Sequence, residues 1–294
     1  MSAPAVTPST VDTSVALPPV DRAPLRRLRR RRVLLQAACV LVTLFMGLPV
    51  YLIALAAFSS RATLNEFPKS LLPTGFSVDT LSSFLSSSGV VAAFLNSVVV
   101  GLATLVLALL IGAPAGYAVA RFAFRGRDTY QLMLLITRAL PIVVLSVPLA
   151  QLFLTAGLYD SILAVTLVHS ALALPTTVLI TASVFVSVPR DLEEAAQVFG
   201  CTRAQAFRRI VAPMALPGIA AASIFTFVLS WNEVLAAAIL TLNNRTLPAQ
   251  VLTSLADSPI AYRFAGGFAL VLPALLFILL MRRYLLNMWG STLR

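Results

Sequence analysis

Long stretches without a charged side chain are the feature that most constrains the fold of this 294-residue chain. Five stretches contain 18 to 41 consecutive uncharged residues, and a sixth is interrupted only by Arg138. The six stretches cover residues 33–60, 80–120, 129–159, 161–189, 210–232 and 264–281. A helix of about 20 apolar residues crosses the hydrocarbon of a bilayer. Hydrocarbon admits only helices and closed barrels, and these runs lack the two-residue alternation of barrel strands. The sequence therefore predicts an all-α, polytopic membrane protein.

Composition agrees with this class, since 11% of the residues are charged and 59% are hydrophobic. Soluble domains have about 25% charged residues, so this chain lacks the side chains that would cover a water-facing surface. We predict six transmembrane helices, at about residues 33–58, 91–120, 130–157, 161–187, 217–240 and 264–281. They form a six-helix domain over residues 33–290, after a disordered tail (1–24) and a basic juxtamembrane segment (25–32).

Arginine and lysine are distributed unevenly between the alternate loops. Loops are numbered here by the predicted helix that they follow. Seventeen of these residues lie in the N-terminal segment, loop two, loop four and the C-terminal segment, whereas four lie in the loops on the other side. By the positive-inside rule both termini are cytoplasmic. The net charge of +11 then reflects topology and contact with anionic membrane lipid, and no nucleic-acid partner is expected.

The inventory of catalytic groups is small. His169 is the only histidine, no second His or Cys stands at metal-ligand spacing, and no G-x-x-x-x-G-K-[ST] phosphate loop is present. A single helical histidine is best interpreted as a packed polar residue. We therefore expect no enzyme activity, no catalytic residue, no metal and no cofactor, and any ATP-driven work must be powered by another polypeptide.

Loop four, residues 190–213, has signals for two short helices. Glu193 and Glu194 fall in the first turn of the first helix, where acids complement its positive end, and Gly200 is placed as its C-terminal cap. Thr202 can cap the second helix. The small residues Ala195 and Ala196 permit a partner to approach closely. Phe199 and Phe207 offer apolar anchors, so the loop is predicted to form a helical knob on the cytoplasmic surface that a soluble motor subunit can push.

This loop resembles the E-A-A-x-x-x-G-x9-I-x-L-P loop of ATP-binding-cassette importer permeases. The matching residues are Glu194, Ala195, Ala196, Gly200, Ile210 and Pro213. Ala212 departs from the pattern, which usually has Leu there. This resemblance implies that the first helix of the loop is a coupling helix, in contact with the ATPase.

Other segments are similar to carbohydrate-importer permeases, in particular the second permease of maltose-type transporters. They are residues 117–127, which match Y-A-x-A-R-x-x-F-x-G-R, and the short runs Asn96-Ser97, Trp231-Asn232-Glu233 and Arg283-Tyr284-Leu285. The usual closing Gly-x-x-x-G-x-x-K is reduced to residues 290–294. The resemblance implies a bacterial inner-membrane protein that assembles with a second homologous permease, ATP-binding-cassette ATPase subunits and an extracytoplasmic solute-binding protein, and that carries a sugar.

Polar residues within the spans are the candidates for a solute pathway. Arg138 lies about 13 Å into the third helix beside Thr137. It either pairs with Glu233 or an acid of the partner permease, or contacts a polar or anionic solute. Trp231 offers an indole face to a sugar ring, with Asn232 and Glu233 to bond hydroxyls, or else it belongs to an interfacial aromatic belt.

Three other functions compete with sugar import. Because the loop-four pattern is shared among importers, the solute can instead be a polyamine, phosphate or a similar molecule. A secondary transporter needs its own coupling acids, and Glu233 is the only acid within a predicted span. An intramembrane hydrolase needs paired catalytic groups, which the predicted spans do not supply.

Overall fold

The computed structural model describes residues 23–67, 70–73, 75–254 and 258–290, and these are helical through most of their length. The helices are α1 (Ala23–Ala57), α2 (Arg61–Asn65), α3 (Asp79–Leu85), α4 (Val90–Arg121), α5 (Arg127–Thr137), α6 (Ile142–Thr155), α7 (Ile162–Ser187), α8 (Arg190–Val198), α9 (Arg203–Ala206), α10 (Ala212–Asn232), α11 (Leu235–Leu240), α12 (Leu247–Ser254) and α13 (Ile260–Gly290). A π-helical segment, Phe207–Val211, joins α9 to α10. The predicted disordered tail lies outside the described residues except for its last two, which open α1.

Within the described residues, five helical runs are long and apolar enough to cross a membrane. They are Arg30–Ala57 of α1, α4, α7, the run from Arg203 to Asn232, and Ile260–Arg282 of α13. The pair α5 and α6 qualifies as a sixth span only if the two helices are counted together. The prediction of several membrane-spanning helices is therefore confirmed, and the predicted count of six is reached with one bent span.

The predicted continuous third helix, residues 130–157, is wrong. The axes of α5 and α6 meet at 90°, and the break runs from Arg138 to Pro141. Pro141 has no amide hydrogen to donate, and a proline disfavours helical geometry at the residue before it. Pro141 accordingly stands in an extended conformation as the N-cap of α6.

The fifth predicted helix, residues 217–240, also differs from the structure at both ends. It begins at Ala212, directly after the π-helical segment, and ends at Asn232. Glu233 then adopts an extended conformation, and the chain resumes as the short helix α11. The region of Trp231 is therefore the end of a helix rather than its interior.

The chain divides into two compact units at Pro49, within α1. The described part of the first unit is a single helix from Ala23 to Pro49. The second unit begins at Val50 and contains all the other elements. In the second unit α4 packs most extensively against α7, and α10 packs against α7, α13 and α4.

Small residues allow α4 and α7 to approach closely. Gly112 and Gly116 form a G-x-x-x-G pair on the buried side of α4. A Cβ atom on Gly116 would lie 2.8 Å from the Ala182 backbone nitrogen and 2.9 Å from the Val178 carbonyl oxygen. At Gly112 the helices are joined by a hydrogen bond from the Thr181 hydroxyl to the Gly112 carbonyl, at 3.1 Å. Close packing and interhelical hydrogen bonds of this kind hold helices together in lipid, where burial of apolar surface gives no driving force.

The large apolar side chains of α4 lie on the outside of the unit. Its exposed large residues include Val91, Leu95, Val99, Leu102, Val106 and Leu110, which recur every three or four positions along one face. The buried face consists of Ala, Gly, Ser, Thr and Val. This arrangement reverses that of a soluble helix and suits a span whose outer face meets hydrocarbon.

Candidate functional site

Helix α8 has an inward and an outward face. Glu193 and Ala196 are buried, at 8% and 7% exposure. The outward residues include Glu194, Ala195, Val198 and Phe199. Val198 and Phe199 are 85% and 88% exposed, so two large apolar side chains project together from the end of the helix. Ala195 is thus exposed on the outward face, whereas Ala196 is packed inward, since it lies one position further round the helix.

Gly200 ends α8 in the left-handed conformation that its position predicts, with φ of 88°. The amide of Cys201 donates to the Ala196 carbonyl and the amide of Gly200 donates to the Gln197 carbonyl, both at 3.0 Å. This bond pair is the Schellman motif. A Cβ atom at Gly200 would meet no atom within 4 Å, so glycine is needed for its backbone conformation and not for space.

The second short helix begins as predicted but does not end as a separate element. The Thr202 hydroxyl accepts from the Gln205 amide, and the Gln205 side chain accepts from the Thr202 amide, which is a capping box. The helix then passes through the π-helical segment directly into α10. Ile210 is half-buried in that segment, and Pro213 is exposed in the first turn of α10. The loop is thus one exposed helix followed by a continuous extension of a spanning helix.

Phe207 is not an external anchor, because its ring packs inward. Its centroid lies 4.7 Å from that of Tyr117 on α4 and 5.9 Å from that of Phe185 on α7. The Tyr117 ring also meets Phe185 edge to face, at 5.5 Å. Three aromatic rings therefore join the ends of α4 and α7 to the π-helical segment behind α8.

Glu193 connects α8 to the end of α4. Its Oε1 accepts a hydrogen bond from the Tyr117 hydroxyl, and its Oε2 accepts one from Arg121 Nε at 3.0 Å. The side chains of Arg121 and Glu193 are 6% and 10% exposed. Sequence reasoning assigned Glu193 only to the helix terminus and missed this partnership. The signal was present in the tyrosine and arginine of the Y-A-x-A-R match.

The polar residues considered for a solute pathway differ in how exposed they are. Trp231 is 2% exposed, its Nε1 donates to the Leu270 carbonyl at 2.9 Å, and its ring stacks on Phe227 and meets Phe94 edge to face. It neither presents a face to a cavity nor lies in an interfacial belt. Both interpretations were wrong, because packing against α4 and α13 encloses the indole.

Glu233 stabilises the break between α10 and α11. Its carboxylate accepts hydrogen bonds from the amides of Leu235 and Ala236, at 3.2 Å and 3.0 Å for the shortest bond of each. His169, which is fully buried as a packed polar residue, places Nε2 3.3 Å from Glu233 Oε2 and Nδ1 2.9 Å from the Ser230 hydroxyl. The acid therefore lies beside His169, and Arg138 forms no ion pair with it; pairing of Arg138 with an acid of a partner permease stays a prediction.

Thr137 and Arg138 are exposed at the break between α5 and α6, and Asn232 is exposed at the last position of α10. Arg138 makes no ion pair with a described residue. All three side chains are exposed, and the Thr137 hydroxyl also donates to the Leu134 carbonyl at 2.9 Å.

Asp160 provides a contact that sequence reasoning missed. It lies two residues before α7, and its Oδ1 accepts from the backbone amides of Leu242, Asn243 and Asn244 at 2.8, 2.9 and 3.0 Å. Burial acts to raise the pKa of the Asp160 carboxyl, but these backbone bonds outweigh it and hold the pKa below its ordinary value of 3.8. Asp160 itself has φ of 57°, a left-handed conformation that Asp tolerates better than most residues.

The same segment between α11 and α12 is held from α4. Asn96 Nδ2 donates to the Arg245 carbonyl at 3.1 Å, and the Ser97 hydroxyl accepts from the Leu247 amide at 2.7 Å. The Asn96-Ser97 pair thus has a structural task, which is to fix the loop that Asp160 holds from its other side.

Comparison with known proteins gives consistent matches. Residues 108–286 match the family described as the binding-protein-dependent transport system inner membrane component. The trehalose transport system permease protein SugB of Mycobacterium tuberculosis is 31% identical over 253 residues, which cover 83% of this chain and 92% of that protein. The diacetylchitobiose uptake system permease protein DasC of Streptomyces coelicolor is 31% identical over 194 residues, 65% of this chain and 70% of that protein.

Among solved structures, a chain of a bacterial ABC transporter involved in the import of the acidic polysaccharide alginate has a TM-score of 0.69. The match covers 88% of this chain and 98% of that one, at 18% identity, and so concerns the fold. The family match spans more than half of the chain and includes α8 and its Gly200 turn. This chain therefore belongs to the family of binding-protein-dependent transport system inner membrane components, the importer permeases that loop four resembles.

Proposed function

We propose that this chain is a membrane-spanning permease subunit of an ATP-driven importer that carries a sugar or a sugar-like solute. The observation that carries the proposal is the outward face of α8, which presents Glu194, Ala195 and two exposed apolar side chains beside the Gly200 turn. The sugar assignment rests on relatives named for trehalose and diacetylchitobiose transport.

The complete machine contains a second homologous permease, ATP-binding-cassette ATPase subunits and an extracytoplasmic solute-binding protein. It lies in the cytoplasmic membrane of a bacterium, with both termini of this chain in the cytoplasm. The distribution of arginine supports this orientation, since the side that holds α8 carries most of the positive charge. ATP is hydrolysed by the separate subunits, because this sequence has no phosphate-binding loop.

Helix α8 is the coupling helix, and it seats its outward face in a cleft of the ATPase. Val198 and Phe199 supply the apolar contact, and Glu194 meets a basic residue. Motion of α8 passes through the Gly200 turn and the π-helical segment into α10, which ends at Asn232. Asn232, Thr137 and Arg138 then lie along the route of the solute, where hydroxyl groups are hydrogen-bonded by polar side chains.

A crosslinking experiment tests the coupling assignment. In the assembled complex, a cysteine at Ala195 is expected to crosslink to the ATPase subunit, with Cys39 and Cys201 replaced by Ser. A cysteine at the buried Ala196 is the matched control and is expected not to react. Crosslinking of position 195 to the external binding protein, or its labelling from outside the cell, contradicts the orientation and the coupling role.

An uptake experiment tests the solute class. Proteoliposomes that contain the whole importer and its binding protein are offered radiolabelled trehalose, diacetylchitobiose, spermidine and phosphate, and uptake of a saccharide alone is expected. Arg138→Met is expected to reduce uptake more than assembly if the exposed guanidinium contacts the solute, whereas loss of assembly indicates a contact with the second permease. Uptake of spermidine or phosphate in place of the saccharides overturns the sugar assignment.

A further inference from the structure

The joint between α7 and α8 consists of two extended residues. Val188 has φ, ψ of −80°, 122° and Pro189 has −57°, 131°. The Val188 amide donates to the Phe185 carbonyl at 3.3 Å and so caps α7, and Pro189 has no amide hydrogen, so neither residue supplies a backbone hydrogen bond that would fix the angle between the two helices. On covalent geometry alone, α8 is free to pivot against the end of α7.

Side chains of α4 and α8 make hydrogen bonds that hold this joint. Arg121, at the end of α4, donates from Nη2 to the Val188 carbonyl at 2.9 Å. Arg190, the first residue of α8, donates from Nη2 to the Ala120 carbonyl at 3.1 Å. The end of α4 thus supplies Arg121 to a carbonyl of the joint, and α8 supplies Arg190 to a carbonyl at the end of α4.

The Glu193 carboxylate completes the connection one turn into α8. It accepts from both Tyr117 and Arg121, which lie four residues apart on the same face of α4. Because Tyr117 is also wedged between Phe185 and Phe207, its hydroxyl is aimed by packing and not by the hydrogen bond alone. Arg121 and Glu193, which form a nearly buried ion pair, are therefore each held in place by a further hydrogen bond, to the Val188 carbonyl and from the Tyr117 hydroxyl respectively.

We propose that Tyr117, Arg121 and Glu193 act as positioning residues that lock the α7–α8 joint, so that α8 moves with the α4–α7 pair as one body. None of the three lies on the outward face of α8. The lock determines how much of a displacement of α8 reaches the membrane helices, and not whether the ATPase binds. The inference rests on the coupling role proposed for α8.

The angle of α8 is measured by spin labels at Phe124, just beyond α4, and at Leu192 on α8. Both positions are exposed, and the native cysteines are replaced by Ser. The whole importer is measured without nucleotide and after trapping with ATP and vanadate. One narrow distance distribution is expected in both states. Glu193→Gln and, to a smaller extent, Tyr117→Phe are expected to broaden it, whereas Asp191→Asn, which removes an exposed charge from the same turn, leaves it unchanged.

The functional readout is uptake per ATP hydrolysed, with the radiolabelled sugar that the wild-type complex carries. Glu193→Gln is expected to lower this ratio about tenfold, within the range of energetic couplings between residues, while the ATPase still co-purifies. The double variant Arg121→Gln with Glu193→Gln is expected to recover most of the ratio, because two amides bond each other and leave no buried charge.

Three outcomes overturn the lock: an unchanged ratio in Glu193→Gln, an unchanged distance distribution, or loss of ATPase binding that accounts for the whole defect. A cysteine at Ala195 separates this failure from failure of the proposed function. If position 195 crosslinks to the ATPase while Glu193→Gln behaves as wild type, only the lock is wrong. If position 195 does not crosslink, the coupling role of α8 is wrong as well.

Discussion

Two carboxylates join segments that are far apart in sequence, and they lie at opposite ends of α7. Glu193, just beyond the end of α7, binds side chains, namely the hydroxyl of Tyr117 and the guanidinium of Arg121. Asp160, at its start, binds chiefly backbone amides of residues 242–244. The first contact depends on the charge of its partner. The second depends on the path of a loop, which any residue with a suitably placed acceptor can hold.

Removal of the Glu193 carboxylate is expected to have the largest effect on stability. Glu193→Ala leaves the Arg121 guanidinium buried without its counter-charge, and breaking one partner of a buried pair costs about 3–5 kcal/mol. Glu193→Gln is expected to recover only part of this, since an amide carries no charge. The free energy of unfolding in an SDS titration of the purified chain measures both variants. A loss below about 1 kcal/mol in the alanine variant contradicts the dependence on charge.

Removal of the Asp160 carboxylate is expected to cost about 2–3 kcal/mol, because the amide groups it leaves are partly open to water. The sharper test is Asp160→Asn, which keeps a carbonyl oxygen and tolerates the left-handed conformation, and which is expected to lose less than about 1 kcal/mol. The same titration applies. If the amide substitution is equally harmful at positions 160 and 193, the two contacts do not differ in kind.

Gly200 supplies a contrast in which no side-chain partner is involved. Gly200→Ala meets no atom but places a Cβ on a residue with φ of 88°, so a cost of about 1–2 kcal/mol is expected from backbone strain alone. The matched control is Gly47→Ala in α1, which is also free of contacts but helical and is expected to be neutral or slightly stabilising. Equal effects at the two glycines contradict the backbone explanation.

Acid is expected to weaken the Asp160 contact by less than the alanine substitution does, since a protonated carboxyl still accepts hydrogen bonds. The folded-state pKa of Asp160 lies below 3.8, so its contribution is fully present above that pH and is lost as the pH falls through the folded value. Hydrogen exchange of the peptide that contains Leu242 to Asn244, corrected for the intrinsic rate, is expected to show reduced protection below about pH 4. Asp160→Asn is the control, in which protection stays independent of pH over this interval.

Features that depend on neighbours in sequence could be predicted from sequence. The uncharged runs located the spans because the cost of a charge in hydrocarbon acts at each residue by itself. The α8 helix and the Gly200 turn followed from capping signals within ten residues. The break at Pro141 was also signalled locally, but a proline within a span is compatible with either a kink or a helix end, as Pro148 inside α6 demonstrates.

Features that depend on distant neighbours could not be predicted. Trp231 is enclosed by Phe94, on another helix, and by the backbone carbonyl of Leu270, which has no sequence signature. Glu233 was assigned to Arg138 or to solute because His169 lies 64 positions away, on α7, and nothing in the sequence places the two together. Asp160 was overlooked for the same reason, since its main donors are backbone amides that every residue other than proline has.

The small residues inside the α4–α7 pair determine which mutational scans are informative. Alanine scanning removes side-chain atoms, yet the buried positions of these helices are mostly Ala, Gly, Ser, Thr and Val already, so such a scan removes little packing volume at them and tests mainly hydrogen bonds such as that from Thr181 to Gly112. Enlargement does the opposite: Gly116→Leu or Ala108→Leu forces atoms into backbone that is already in contact or into a fully buried position. A leucine scan therefore reports on the packing of the helix interfaces of this permease, whereas an alanine scan reports mainly on its large outward-facing side chains and on those hydrogen bonds.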